Sequence, residues 1–157
     1  MRYPIRVMYT VRPATITDLD TLVHHRYAMW RDMGRDPKLL AIMEPAAREY
    51  FTAEVANGGY RGWLVESDGK IIGGAGIVIS AWPGNPGSTL AKRAMILNMY
   101  VERDYRRRGI ARALMETVIA WCKTQGFSAV GLHASDEGRP LYESMGFEPT
   151  NEMRLTF

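Results

Sequence analysis

The chain has 157 residues, which suits one compact domain spanning 1–157; two domains would each have too little core. With 46% hydrophobic and 24% charged residues it is not a disordered tail, a collagen-like fibre or a disulfide scaffold. A net charge of +3 demands no nucleic-acid partner, and the lone Cys122 permits no internal disulfide, as expected of a reducing compartment.

The start, Met1-Arg2-Tyr3-Pro4-Ile5-Arg6, is charged and has no apolar run after it, so no signal peptide is expected. No stretch approaches the roughly 18 apolar residues of a membrane span, so the expectation is a cytoplasmic protein with no membrane partner. Met8 to Arg12 predicts a short strand closed by Pro13. Thr17 can cap a helix in which Leu19, Leu22, Val23, Tyr27 and Trp30 recur at helical spacing. Gly34 to Pro37 breaks it, and Leu39 to Ala56 predicts a second helix stopped by Asn57-Gly58-Gly59. Gly62 to Glu66 and Ile71 to Ser80 predict strands around the hairpin signal Ser67-Asp68-Gly69-Lys70. Trp82 to Lys92 predicts a loop and Ala94 to Val101 a buried strand. Ile110, Ala111, Leu114, Met115, Val118, Ile119 and Cys122 mark one face of a helix ended by Gly126. Phe127 to His133 predicts a strand, Glu137 to Met145 a short helix, and Glu152 to Phe157 a final strand. Helices alternating with strands imply an α/β mixture around a sheet.

The informative segment is Arg106-Arg107-Arg108-Gly109-Ile110-Ala111-Arg112, between a buried strand and a helix start. A helix start offers unpaired N–H groups and the positive end of its dipole. Gly109 lets the backbone approach an anion, and the arginines surround the same point with positive charge. Together they can cradle a pyrophosphate; the plainer alternative is a solvated basic patch beside an ordinary helix start. The segment is not a P-loop, because the Gly-Lys-Ser/Thr ending is missing. Gly73-Gly74-Ala75-Gly76 is followed by Ile77-Val78-Ile79, which continues a strand, so these read as strand glycines where another backbone comes close.

Strand, Arg106-x-x-Gly109-x-Ala111 turn and amphipathic helix resemble the acetyl-CoA-binding motif of the GNAT N-acetyltransferase superfamily, whose pattern is Q/R-x-x-G-x-G/A. Leu141-Tyr142-Glu143-Ser144-Met145-Gly146-Phe147 is similar to that family's short helix with a tyrosine ahead of Gly-Phe. The resemblance spans Ala94 to Phe147 and implies a mixed α/β fold. Its central, mostly antiparallel twisted sheet would have about six or seven strands with a parallel, splayed central pair, flanked by about four helices.

The resemblance further implies an N-acetyltransferase using acetyl-CoA as acyl donor, without metal. Backbone at Met99 and Val101 would hold the thioester and pantetheine arm, with Asn98 beside the bulge. Backbone N–H groups from Arg107, Arg108, Gly109, Ile110 and Ala111 would hold the pyrophosphate, with the side chains of Arg106 and Arg108 and, more weakly, Arg112. The Met99 N–H would stabilise the developing oxyanion, and Tyr142 would protonate the leaving thiolate. His133, Glu66 and Glu44 are alternative bases; His24 and His25 read as surface residues. Trp30, Met33, Met43 and Trp82 are candidates for an apolar acceptor pocket, although Trp30 and Met33 also suit a core. The acceptor is a small-molecule or peptide amine, with a homodimer as a possible assembly. A non-catalytic acyl-CoA-binding sensor on the same fold and a nucleic-acid binder are the competing readings. The second ranks last because no basic-aromatic sheet motif is present.

Overall fold

The computed structural model describes residues 8–157, so the Met1–Arg6 start lies outside the described residues. Strand β1 (Thr10–Pro13) leads through a 3-10 turn (Ile16–Asp18) into α1 (Leu19–Asp32) and α2 (Pro37–Asn57). Strands β2 (Tyr60–Ser67), β3 (Lys70–Ala81) and β4 (Lys92–Val101) follow. Then come a 3-10 turn (Arg103–Tyr105), α3 (Ile110–Thr124), β5 (Gly131–Leu132) and α4 (Arg139–Ser144).

Local chemistry accounts for the element ends. The helical entry begins two residues before the expected Thr17 cap, at Thr15, whose N–H donates to Asp18 Oδ2 at 2.8 Å. Asp18 also receives Arg12, which reaches Glu66 as well, so one guanidinium ties β1 to β2 and to the helix entry. Pro37 opens α2 instead of only breaking α1: Asp36 caps the helix by accepting from the Lys38 N–H at 2.9 Å, and a proline is tolerated in the first turn. Asp68 and Gly69 both have positive φ, as the two central residues of a tight hairpin turn require.

The sheet has the order β1-β2-β3-β4-β5, antiparallel except for the β4–β5 pair. Five strands form among the described residues, fewer than expected, and the parallel pair lies at the sheet edge instead of its centre. Two departures explain this. The segment Phe127–His133 pairs only at Gly131 and Leu132, because β4 bends away just beyond their partners Met95 and Ile96. The final strand does not form. Glu152 is held at the edge by Arg93 and His133, but Met153 and Leu155 beyond it are 95% and 78% exposed.

The sheet carries a core on each face. On one, α3 buries Ile110, Leu114, Met115, Val118 and Cys122, the stripe read from the sequence, against Val65, Ile77 and Ile96. Each such side chain is worth roughly 1.5–3 kcal/mol relative to exposure. On the other, α1 and α2 place Leu22, Val23 and Phe51 on Tyr60 and Leu64. The β3 glycines permit close approach, as expected: a methyl at Gly73 would stand 2.8 Å from the Tyr100 carbonyl, and one at Gly74 2.9 Å from that of Trp63. At Gly76 a methyl would collide with the ring and hydroxyl of Tyr60.

Candidate active site

Two features of the chain converge at β4. The first is a bulge. Gly74 faces Tyr100 and Gly76 faces Leu97, so Ala75 alone opposes both Asn98 and Met99. Asn98 takes the left-handed conformation, φ 60°, which Asn tolerates better than most residues. The extra residue turns the Asn98 side chain toward α1, where its amide donates to the Leu22 carbonyl at 3.0 Å. Asn98 is 2% exposed, and its Oδ1 is buried without a partner. Met99 packs on the α3-side core, and the strand beyond Ile96 leaves β5. The bulge thus opens the parallel pair and presents backbone to the gap.

The second feature is the turn after β4. Arg107 has φ 61° and Gly109 φ 80°, and nothing lies within 4 Å of where a Gly109 side chain would stand. Among the described residues, the N–H groups from Arg107 through Arg112 find no acceptor; the first helical bond here is from Ala113 to the Gly109 carbonyl. Arg107, Arg108 and Gly109 are exposed, whereas Ile110 is buried and anchors the helix start. This concave, unpaired row of donors at the positive end of α3 suits a diphosphate.

The four arginines do not share one task. Arg106 Nη2 reaches Asp32 at 2.6 Å, its Nε donates to the Val101 carbonyl at 2.8 Å, and its guanidinium lies over the Tyr100 ring. The Arg106 side chain, expected at the phosphate, here clamps the turn to α1. Arg112 donates to Ser144 on α4, Arg108 stacks over Tyr105, and Arg107 stands exposed. Asp32 also accepts from Arg103 and Arg31. Burial would raise its carboxyl, but these guanidinium bonds outweigh that and bring it down to about 2.

Tyr142 is 9% exposed in α4, edge-on to Phe147, and belongs to the core cluster on which Met99 packs. Its hydroxyl makes no hydrogen bond among the described residues, and burial raises its pKa, so it stays protonated at neutral pH. His133, half exposed at the sheet edge, is bound to Glu152 and not to this cluster. Glu66 is engaged by Arg12.

On the opposite face, α1 and α2 roof a cavity of about 290 Å³ over β2, β3 and β4. Arg26 comes from α1, Met43, Tyr50 and Phe51 from α2, Tyr60 from β2 and Leu97 from β4. Of the expected pocket residues only Met43 lines it. Trp30 packs against the guanidiniums of Arg26 and Arg35, each 5.4 Å from its ring centroid, and Met33 and Trp82 face solvent, 44% and 37% exposed. Arg26, Tyr50 and Tyr60 escaped the sequence reading. The signal for Arg26 was its place one turn on from Leu22 and Val23, a charge on the apolar stripe. His25, expected at the surface, is instead 1% exposed against Tyr100, and burial lowers its pKa to about 4. Among the described residues no cluster of His, Cys, Asp and Glu could hold a metal ion, and no helix is long and apolar enough to cross a membrane.

A model of the Acetyltransferase (GNAT) family matches residues 25–147. Among solved structures, a GCN5-related N-acetyltransferase from Ralstonia eutropha JMP134 is 38% identical, with TM-score 0.91 over 96% of this chain and 99% of the other. A predicted acetyltransferase with acetyl-CoA from Clostridium acetobutylicum is 28% identical, with TM-score 0.88 over 96% of each. Human N-acetyltransferase 8 is 33% identical over 93 residues, 57% of this chain and 39% of that protein. The chain spans about two fifths of the length of the curated relatives it matches.

Proposed function

The chain belongs to the GNAT acetyltransferase family, and from that premise we propose that it moves an acetyl group from acetyl-CoA to a primary amine of a small molecule, by direct attack in a ternary complex. The observation that carries this reading is the row of unaccepted N–H groups from Arg107 to Arg112, set beside the Asn98–Met99 bulge.

Acetyl-CoA, when bound, supplies an activated acyl group and a thiol leaving group. The N–H row, with Arg107 and Arg108 around it, holds the diphosphate, and Met99 and Val101 offer backbone to the pantetheine amides. Arg106 acts as a positioning residue through Asp32. The Met99 N–H donates to the oxygen on which negative charge grows; one such donor is worth roughly 10²–10³ in rate. Asn98 Oδ1, a buried acceptor with no partner, takes an N–H of the amine and orients its lone pair. Tyr142 gives its proton to the departing sulfur, whose thiol has a pKa of about 8.5 against about 10 for a free phenol. The proton shed by the attacking nitrogen leaves through solvent and restores the phenol.

The second copy of a homodimer is the partner we assign to the tail, where Met153, Leu155 and Phe157, alternate residues outside any strand, stand exposed to solvent.

Substituting Tyr142→Phe tests the catalytic reading. Turnover with an amine panel, followed by thiol release, should fall by roughly 10²-fold or more, with acetyl-CoA affinity within about twofold of wild type. Wild type that binds CoA but acetylates no amine would make the protein an acyl-CoA sensor instead.

A further inference from the structure

The acceptor cavity is built for one kind of amine. We propose that the acceptor carries a carboxylate next to its amine and an apolar body, as an apolar α-amino acid does, with Arg26, Tyr50 and Tyr60 holding the carboxylate. The inference rests on the acetyl-transfer reading above and names its acceptor class.

Arg26 carries the argument. It lines the cavity roof, largely withdrawn from water, and no carboxylate pairs with it among the described residues. Its guanidinium also lies over the Trp30 ring, 5.4 Å from the centroid. A desolvated cation without a counter-ion costs stability that stacking on one ring offsets only in part, so the fold alone does not account for its place. The Tyr50 and Tyr60 hydroxyls are buried without partners, and both residues line the same cavity. Burial raises the pKa of both, so both remain donors. Gly76 leaves the space that the Tyr60 hydroxyl fills. A guanidinium and two phenols are all donors, and no acidic side chain lines the cavity.

Charge decides the anion. One guanidinium balances one carboxylate, whereas a phosphate dianion would leave a negative charge unpaired in a largely apolar site. A polycationic amine would meet Arg26 as a like charge. Spacing decides the rest. Leu97 lines the cavity with Tyr60 and is the residue before Asn98, so the cavity that would hold the anion adjoins the Asn98 acceptor. Met43 and Phe51 provide an apolar wall for the acceptor's body. The volume, about 290 Å³, is at the small end of ligand pockets and suits a single amino acid.

The test compares L-phenylalanine with 2-phenylethylamine, which differ by the carboxylate alone. Wild type should acetylate the amino acid with a kcat/KM roughly tenfold or more above that of the amine. Arg26→Met should abolish that preference, leave the Kd for acetyl-CoA unchanged and keep or raise Tm. Arg26→Lys should retain part of the preference and Tyr50→Phe should reduce it, so the test survives a variant that folds poorly. Equal use of both amines by wild type, or an undiminished preference in Arg26→Met, overturns the inference. A second readout separates it from the transferase reading: calorimetric binding of N-acetyl-L-phenylalanine and L-phenylalanine to the protein, with and without CoA. Carboxylate-dependent binding that needs Arg26, without turnover, keeps this site and ends the transferase reading. No binding of either, in a protein that acetylates other amines, ends this one.

Discussion

Replacing Asp32 by Asn asks whether the anion-binding turn is held in shape from α1. The side chain keeps its size and loses its charge, releasing Arg106 at 2.6 Å, Arg103 at 2.8 Å and Arg31 at 3.1 Å. Each pH unit of depression corresponds to about 1.4 kcal/mol, so a fall from 3.8 to about 2 is worth at most about 2.5 kcal/mol. Arg103 and Arg31 are 68% and 46% exposed and regain water, which discounts the loss to about 1–2 kcal/mol. For a protein of this size that lowers Tm by roughly 2–8 °C. The carboxyl is depressed in the fold, so its contribution is complete above pH ~4 and fades as pH falls toward 2. The gap between wild type and variant should therefore close below about pH 4. The ligand readout is sharper. With its clamp gone, the Arg107–Arg112 row loses preorganisation, and calorimetry should find CoA bound roughly 3–10-fold more weakly. Asp32 could instead compete with the diphosphate for Arg106. Removing a nearby negative charge would then tighten CoA binding, and that result would refute the clamp.

Two further measurements bear on the remaining parts. Burial, with His24 adding to it and Glu102 opposing, lowers His25 from 6.5 to about 4, so the unfolded chain binds the proton more readily between those values. Stability is then level above pH ~6.5 and falls below it, by about 2 kcal/mol at pH 5, or a Tm lower by roughly 4–8 °C than at pH 7.5. His25→Leu should flatten that difference; an equal drop in the variant would place the titration elsewhere. For the tail, sedimentation should find wild type dimeric and Leu155→Asp monomeric, whereas monomeric wild type removes the second copy as its partner.

What the sequence disclosed depended on the range of the interaction. The α3 stripe, the Asp68-Gly69 turn and the Arg106–Ala111 motif are local patterns, and each sits in the element expected of it. The final strand is a local pattern too, but strand pairing needs a neighbour, and alternation at Met153, Leu155 and Phe157 cannot say whether one is present. The Arg106 contact with Asp32 could not be read from the sequence, because that partner is 74 residues away in α1. His25, read as a surface residue, and Arg26, not singled out, are neighbours on α1. Only the packing of α1 over β3 and β4 shows that both face inward. The cavity combines α1, α2 and three strands, and no window of sequence contains it.

The Asn98 bulge joins the two halves of the site. Without the extra residue, β4 would alternate strictly, and Asn98 would share the α3-side face with Ala94 and Ile96. Leu97 lines the cavity wall by ordinary alternation; the insertion puts Asn98 on the same face, toward α1 and α2, while Met99 returns to the α3 side with Tyr142. The same insertion bends β4 away from β5 after Ile96 and opens its edge. One residue in the left-handed conformation therefore sets both the wall that would receive an amine and the backbone that would face an acyl donor, and brings them within one residue of each other. An ordinary rung at this place would close the edge and turn the amide away from the cavity, which is why an asparagine, poorly suited to strand interiors, stands in the middle of the most buried strand segment of the motif.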